Sequence, residues 1–199
     1  MLVRLRIEPI EPRAVYILLG INIGMYVAGA IASGDLVELY RYPFFRFYAF
    51  TKTVFGVFLP WQIITSMFLH LHILHLMFNM FFLYLLGTQL ERLVGSSKLI
   101  QIYLLSGLGG NIFSFLLSPN VIVAGASGAI FGIFGYLTMF YGTLGGNIRN
   151  MLMYALFIFL INSLFPADIF GHLGGLIVGL LWGYVDGKTF ISSVKRVTI

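Results

Sequence analysis

An all-α, polytopic membrane bundle is the fold class this sequence predicts, from its composition, its hydropathy and the lengths of its apolar runs. Hydrophobic residues make up 59% of the 199-residue chain and charged residues only 10%, with a mean hydropathy of +0.96. An average soluble domain carries roughly 25% charged residues. The apolar residues gather into runs close to the roughly 20 residues that a helix needs to cross a bilayer. Roughly six such runs fill the chain, so a single membrane domain over 1–199 is expected, and its chemistry must occur in or beside the bilayer. The absence of cysteine excludes disulfides and thiol chemistry. A net charge of +5 raises the possibility of nucleic acid, but the basic residues flank apolar runs instead of clustering with aromatics. Membrane topology accounts for them, and no nucleic-acid partner is expected.

The elements follow in order. Residues 1–13 hold Arg4, Arg6 and Arg13 and precede a first span at 14–32. A charged start, an apolar run and small residues such as Ala28-Gly29-Ala30 also describe a signal peptide, but the run exceeds a usual signal core and reads as a retained span. Residues 33–71 mix Asp35, Glu38, Arg41, Arg46 and Lys52 with many aromatics, the composition of a headgroup-level segment. So long a loop without structure is uncommon, which predicts short helices lying in the interface. A second span is expected at 72–90, a turn at Gly95-Ser96-Ser97, a third span at 98–117 and a turn at Ser118-Pro119-Asn120. A fourth follows at 124–141, a fifth at 151–164 broken by Phe165-Pro166, and a sixth at 168–185 before a polar tail at 186–199. With the N-terminus in the cytoplasm, nine basic residues lie inside and only Arg41, Arg46 and Lys52 outside, which favours both termini cytoplasmic.

That topology makes spans two, four and six start at the outer face, where the polar residues meet. Ser127 sits in Gly125-Ala126-Ser127-Gly128, and His172 in Gly171-His172-Leu173-Gly174-Gly175, while His75 and Asn79 lie early in span two. At 1.5 Å rise per residue, all four fall roughly 5–10 Å below the outer surface. Gly128-xxx-Gly132 alone reads as a helix-packing surface, but ionisable residues at one intramembrane depth are functional candidates. A serine hydroxyl needs an adjacent base, which His172 can supply. Glycines at 171, 174, 175 and 179 let span six approach span four closely. His75 and Asn79, four apart, share a helix face and with the Ser127 N–H can bind an oxyanion. These residues compose a serine hydrolase built from three helices.

The ordered set Trp61 to Thr65, Phe68, His70, His75-xxx-Asn79-Met80, Gly87-xxx-Glu91-Arg92, Gly95, Gly125-Ala126-Ser127-Gly128 and Gly171-His172…Gly175…Gly179 resembles the rhomboid intramembrane serine proteases over nearly the whole chain. The resemblance implies a six-helix bundle of the prokaryotic type and a Ser127–His172 dyad without an essential acid. It also implies an oxyanion hole from His75, Asn79 and Ser127, with Gly125, Gly128, Phe131, Gly175 and Gly179 in support. No cofactor and no metal are implied, and the partners are the lipid bilayer and single-span transmembrane protein substrates admitted between helices. Cleavage is expected after a small residue in a helix that unwinds easily. The short fifth span, with Met153, Tyr154, Phe157 and Phe159, is the expected moving wall. Two positions depart from the family pattern. Gln62 follows Trp61 where the family often has Arg, and Phe131 stands where many members have a Tyr packed on the histidine.

Three other readings compete. His70, His72 and His75 can be read as metal ligands, but no His-Glu-x-x-His and no nearby carboxylates accompany them. A transporter would show broken helices in repeated halves, and no internal repeat is evident. A client-binding scaffold of the same fold would lack the serine or the histidine. Asp168, one turn before His172, fits either the third member of a triad or the N-cap of span six.

Overall fold

The computed structural model describes residues 11–50, 59–118, 122–147, 149–150, 153 and 168–197. The apolar runs fold as helices α1 (Arg13–Ser33), α4 (Ile73–Val94), α5 (Ser96–Leu117), α6 (Ser127–Thr143) and α7 (Ile169–Val197), and the described residues form no strand beyond isolated bridges. Segments Arg13–Ser33, Ile73–Val94, Ser96–Leu117 and Ile169–Val194 are each long and apolar enough to cross a membrane. The chain is therefore an integral, multi-pass membrane protein with a helical bundle fold. At 17 residues α6 is shorter than these, and ten of its residues are buried, which makes it the axis of the bundle. Its closest packing is on α7, then α5 and α4. The expected fifth span, with Tyr154, Phe157 and Phe159, lies outside the described residues apart from exposed, helical Met153.

The segment after α1 folds as expected into short helical pieces: a 3-10 turn Leu39–Arg41, α2 (Pro43–Tyr48), α3 (Gln62–Thr65) and a second 3-10 turn Ser66–Phe68. Leu39, Phe45, Ala49 and Leu69 pack with Tyr26 and Ala30 of α1 and Leu76 of α4, a small core separate from that of the bundle. Gln62 anchors this segment despite its departure from the family pattern. It is buried, its amide donates to the carbonyls of Arg46 (3.1 Å) and Phe47 (3.3 Å), and its own oxygen accepts from the Leu59 N–H.

Three boundaries correct the sequence expectation. Gly95 alone, at φ +85°, turns α4 into α5, and Ser96 and Ser97 already belong to the second helix. The fourth span begins at Ser127 and not at 124, because Val123 pairs with Phe50 through two backbone hydrogen bonds and Gly125 bends the chain. The helix of the sixth span does not end at 185, and α7 continues through the polar residues to Val197. Asp186, where hydropathy falls, is held inside the helix by the Tyr136 hydroxyl (2.6 Å) and by an ion pair with Lys98.

Glu91, near the end of α4, is fully buried. Its two carboxylate oxygens accept from the N–H groups of Ala14 (2.8 Å) and Val15 (2.9 Å), and one of them also accepts from the Ser96 hydroxyl (2.6 Å). The first turn of α1 has free N–H groups and the positive end of the helix dipole. A carboxylate 77 residues away in sequence thus caps α1 and ties it antiparallel to α4.

Candidate active site

α4, α6 and α7 run in the same direction, and their N-terminal turns carry the polar residues singled out above. Ser127 is the first residue of α6, so its N–H has no partner one turn earlier within the helix. That position results from Gly125, whose φ of +131° is a conformation that side-chain-bearing residues rarely adopt. A Cβ on Gly125 would stand 2.8 Å from His75 Cε1, 2.9 Å from its Nε2 and 3.6 Å from Ser127 Oγ. The glycine is therefore required twice, for the bend and for the imidazole that occupies the space beside it.

Ser127 Oγ lies 2.8 Å from His172 Nε2, and His172 is buried. With the proton of the imidazole on Nδ1, the serine hydroxyl donates to Nε2. Phe131, one turn into α6, stacks on the imidazole with ring centroids 4.6 Å apart and planes at 28°. The hydroxyl of a tyrosine is thus not needed for that stacking. The approach of the two helices depends on glycine: a Cβ on Gly175 would overlap the Gly128 carbonyl, and one on Gly179 the Gly132 carbonyl. A Cβ on Gly128 would stand 3.3 Å from the Gly171 carbonyl oxygen. Packing surface and the serine that meets His172 therefore share one stretch of sequence. Gly174 departs from expectation, because it faces Gly109 and Phe113 of α5 and not α6.

Asp168 precedes α7, and its Oδ1 accepts from the Gly171 N–H at 3.0 Å while its carbonyl accepts from the His172 N–H. This is the N-cap geometry. His172 Nδ1 has no hydrogen-bond partner among the described residues, so Asp168 does not form the third member of a triad here.

His75, the third residue of α4, receives a cap from His72, whose Nδ1 accepts its backbone N–H at 3.1 Å. Asn79 is buried one turn later, and its amide donates to the His75 carbonyl at 2.9 Å. One of its two amide hydrogens is thus held within α4, and one remains for another acceptor. His70 is completely buried on the segment before α4, with neither ring nitrogen hydrogen-bonded among the described residues. Burial, followed by the neighbouring His75 and His72, holds its pKa well below the usual histidine value, with a backbone contact at Phe68 offsetting part of this. Rings 70 and 75 meet edge to face at 5.1 Å, and among the described residues no three His, Asp or Glu side chains converge on a point that suits a metal.

Sequence reasoning missed two residues that frame this site. Asn111 of α5 is buried, and its amide donates to the Ile63 carbonyl (2.6 Å) and the Ser66 hydroxyl (2.9 Å). The Ser66 carbonyl in turn accepts from the Gly125 N–H at 2.9 Å. An asparagine in the middle of an apolar span was the available signal.

Comparison with known proteins bears on the whole of this arrangement. The family model described as "Rhomboid domain" matches residues 58–189. The chain is 42% identical over 156 residues to rhomboid protease GluP of Bacillus subtilis, covering 70% of this chain and 30% of that one. It is 39% identical over 132 residues to the mitochondrial RHOMBOID-like protein 6 of Arabidopsis thaliana, covering 63% and 43%. It is 30% identical over 144 residues to rhomboid protease GlpG of Haemophilus influenzae, covering 68% and 74%. The chain thus matches less than half the length of the first two relatives. A family match over most of the chain, a helical membrane fold and glycine-bearing motifs in the family's order lead to one conclusion: this chain belongs to the rhomboid family.

Proposed function

We propose that this chain is an intramembrane serine endopeptidase that cleaves transmembrane segments of single-span proteins. The observation that carries the reading is the 2.8 Å approach of Ser127 Oγ to His172 Nε2 within a buried, glycine-packed helix pair. Relatives named as proteases support it. In this reading His172 takes the Ser127 proton as Oγ attacks the scissile carbonyl. The oxyanion that forms is met by the Ser127 N–H, His75 and Asn79, at the positive ends of α4 and α6. His172 then protonates the leaving amine, and water, deprotonated by the same imidazole, releases the acyl group and regenerates the serine. The preferred substrate has a small residue before the scissile bond in a helix that unwinds easily. The distribution of basic residues favours both termini in the cytoplasm, and the resemblance to six-span rhomboid proteases of the prokaryotic type is the ground for placing the chain in a prokaryotic cell membrane.

Purified protein in liposomes, given a single-span substrate and separately a fluorophosphonate, tests this. Ser127→Ala and His172→Ala are each expected to abolish cleavage and labelling, with melting temperatures within a few degrees of the parent. Substantial cleavage by either variant would overturn the assignment.

A further inference from the structure

The oxyanion pocket lies between two parts of the molecule. Ser127 and His172 belong to α6 and α7, whereas His75 and Asn79 belong to α4, which is sewn to α1 through Glu91. Besides the direct packing of α4 on α6, these parts are joined by the short stretch α3 and its 3-10 extension, which ends four residues before α4. The last carbonyls of so short a helix lack most of their partners within it, the Ser66 carbonyl taking the Leu69 N–H at 3.3 Å. Three of them are taken from outside: Ile63 by the Asn111 amide, Ser66 by the Gly125 N–H, and Met67 by the Tyr103 hydroxyl at 3.1 Å. Asn111 also holds the Ser66 side chain, so one buried amide grips the same residue whose carbonyl fixes the Gly125 turn. Gly125 lies against His75 on one side and two residues before Ser127 on the other.

We propose that Asn111 is a positioning residue for the oxyanion pocket, acting through Ser66 and Gly125 on the spacing between the His75 imidazole and the Ser127 N–H. It touches no reacting atom. The inference rests on the protease reading above. Removing its amide takes the donor from the part-buried Ile63 carbonyl and the buried Ser66 hydroxyl, and movement of the peptide restores the lost pairing. Displacement of catalytic groups by about 1 Å can lower a rate on the order of 100-fold.

The test is a mutant cycle on the full chain in liposomes, following cleavage of a transmembrane substrate and the rate of fluorophosphonate labelling. Asn111→Ala is expected to lower kcat roughly 10- to 100-fold with KM little changed, because the defect falls on a group used in the transition state. In a His75→Ala background the same change is expected to have little further effect, since the pocket it positions is already incomplete. A purely structural asparagine would instead lower the rate by the same factor in both backgrounds. Ser66→Ala, which removes only the 2.9 Å acceptor, is expected to show a smaller loss with the same dependence on His75, and it serves if Asn111→Ala does not fold. Unchanged kcat, or equal factors in both backgrounds, overturns the proposal. Retained labelling in Ser127→Ala would instead overturn the protease reading, so the two failures are distinguishable.

Discussion

Replacing Glu91 with alanine removes the acceptor that serves the Ala14 and Val15 N–H groups at the buried start of α1. Two backbone N–H groups at 2.8 and 2.9 Å and the Ser96 hydroxyl at 2.6 Å lose their partner at once. Hydrogen bonds to a charged group contribute about 1.5–3 kcal/mol each, and each buried donor left without a partner costs roughly 1–3 kcal/mol. The three bonds share one carboxylate and do not add in full, so about 3–5 kcal/mol is the appropriate figure. For a chain of this size each kcal/mol lowers the midpoint by roughly 2–4 °C, which gives a fall of roughly 6–20 °C. Glu91→Gln keeps one acceptor but turns an amide NH2 towards the other donor, and is expected to show about half that loss. Glu38→Ala is the control, because its ion pair with Arg41 joins side chains 40% and 63% exposed. Such pairs contribute about 1 kcal/mol at most. Scanning fluorimetry in a mild detergent reads all three. A Glu91→Ala midpoint within 2 °C of the parent would refute the claim that the carboxylate holds α1 in the bundle.

Gly175→Val and Gly179→Val are each expected to lower cleavage at least about 100-fold, since the added Cβ overlaps the Gly128 or Gly132 carbonyl and separates Ser127 from His172. Gly20→Ala is the matched control, with nothing within 4 Å of the new Cβ; parent-like rates in both valine variants would show that the seam does not position the histidine. Asp168→Asn should cost less than tenfold in kcat, because Asn caps a helix nearly as well as Asp, whereas loss of a triad acid costs on the order of 10⁴. A thousandfold drop would restore the triad. His70, whose pKa burial holds below its unfolded value, must charge on unfolding in acid. Stability attributable to it is complete above about pH 6.5 and declines as pH falls below that, by no more than about 1.4 kcal/mol per unit. The drop in melting temperature from pH 7.5 to 5 should therefore be smaller in His70→Asn, and an equal drop would exclude this role.

The helices among the described residues and the meeting of Ser127 with His172 were legible because hydropathy reports burial in lipid, and a polar residue within an apolar run stands out against it. Boundaries were less legible, because hydrogen bonding and hydropathy end at different places. α7 continues past Asp186 since Tyr136 and Lys98 satisfy that carboxylate, and α6 starts late because Phe50 captures Val123 in a backbone pair. Glu91 reads in sequence as an ordinary charge at a helix end. Its role depends on the first turn of a helix 77 residues earlier, a distance over which no periodicity operates. Asn111 escaped notice for a similar reason, since its acceptors belong to a short helix whose carbonyls have no sequence signature.

The seam between α6 and α7 makes the site intolerant of insertions and deletions. Glycines 175, 179 and 183 meet the backbone at 128, 132 and 136 with the same offset along the chain, and His172 stands three residues ahead of the first of them. One residue added between His172 and Gly175 rotates the histidine by about 100° relative to that seam and shifts it 1.5 Å along the axis. No side-chain adjustment recovers such a turn. Substitutions can accumulate on the lipid-facing surface of α7 one at a time. Its residue count between positions 172 and 183 cannot drift in the same way, and length changes are confined to stretches such as 144–147, where the chain is turning anyway.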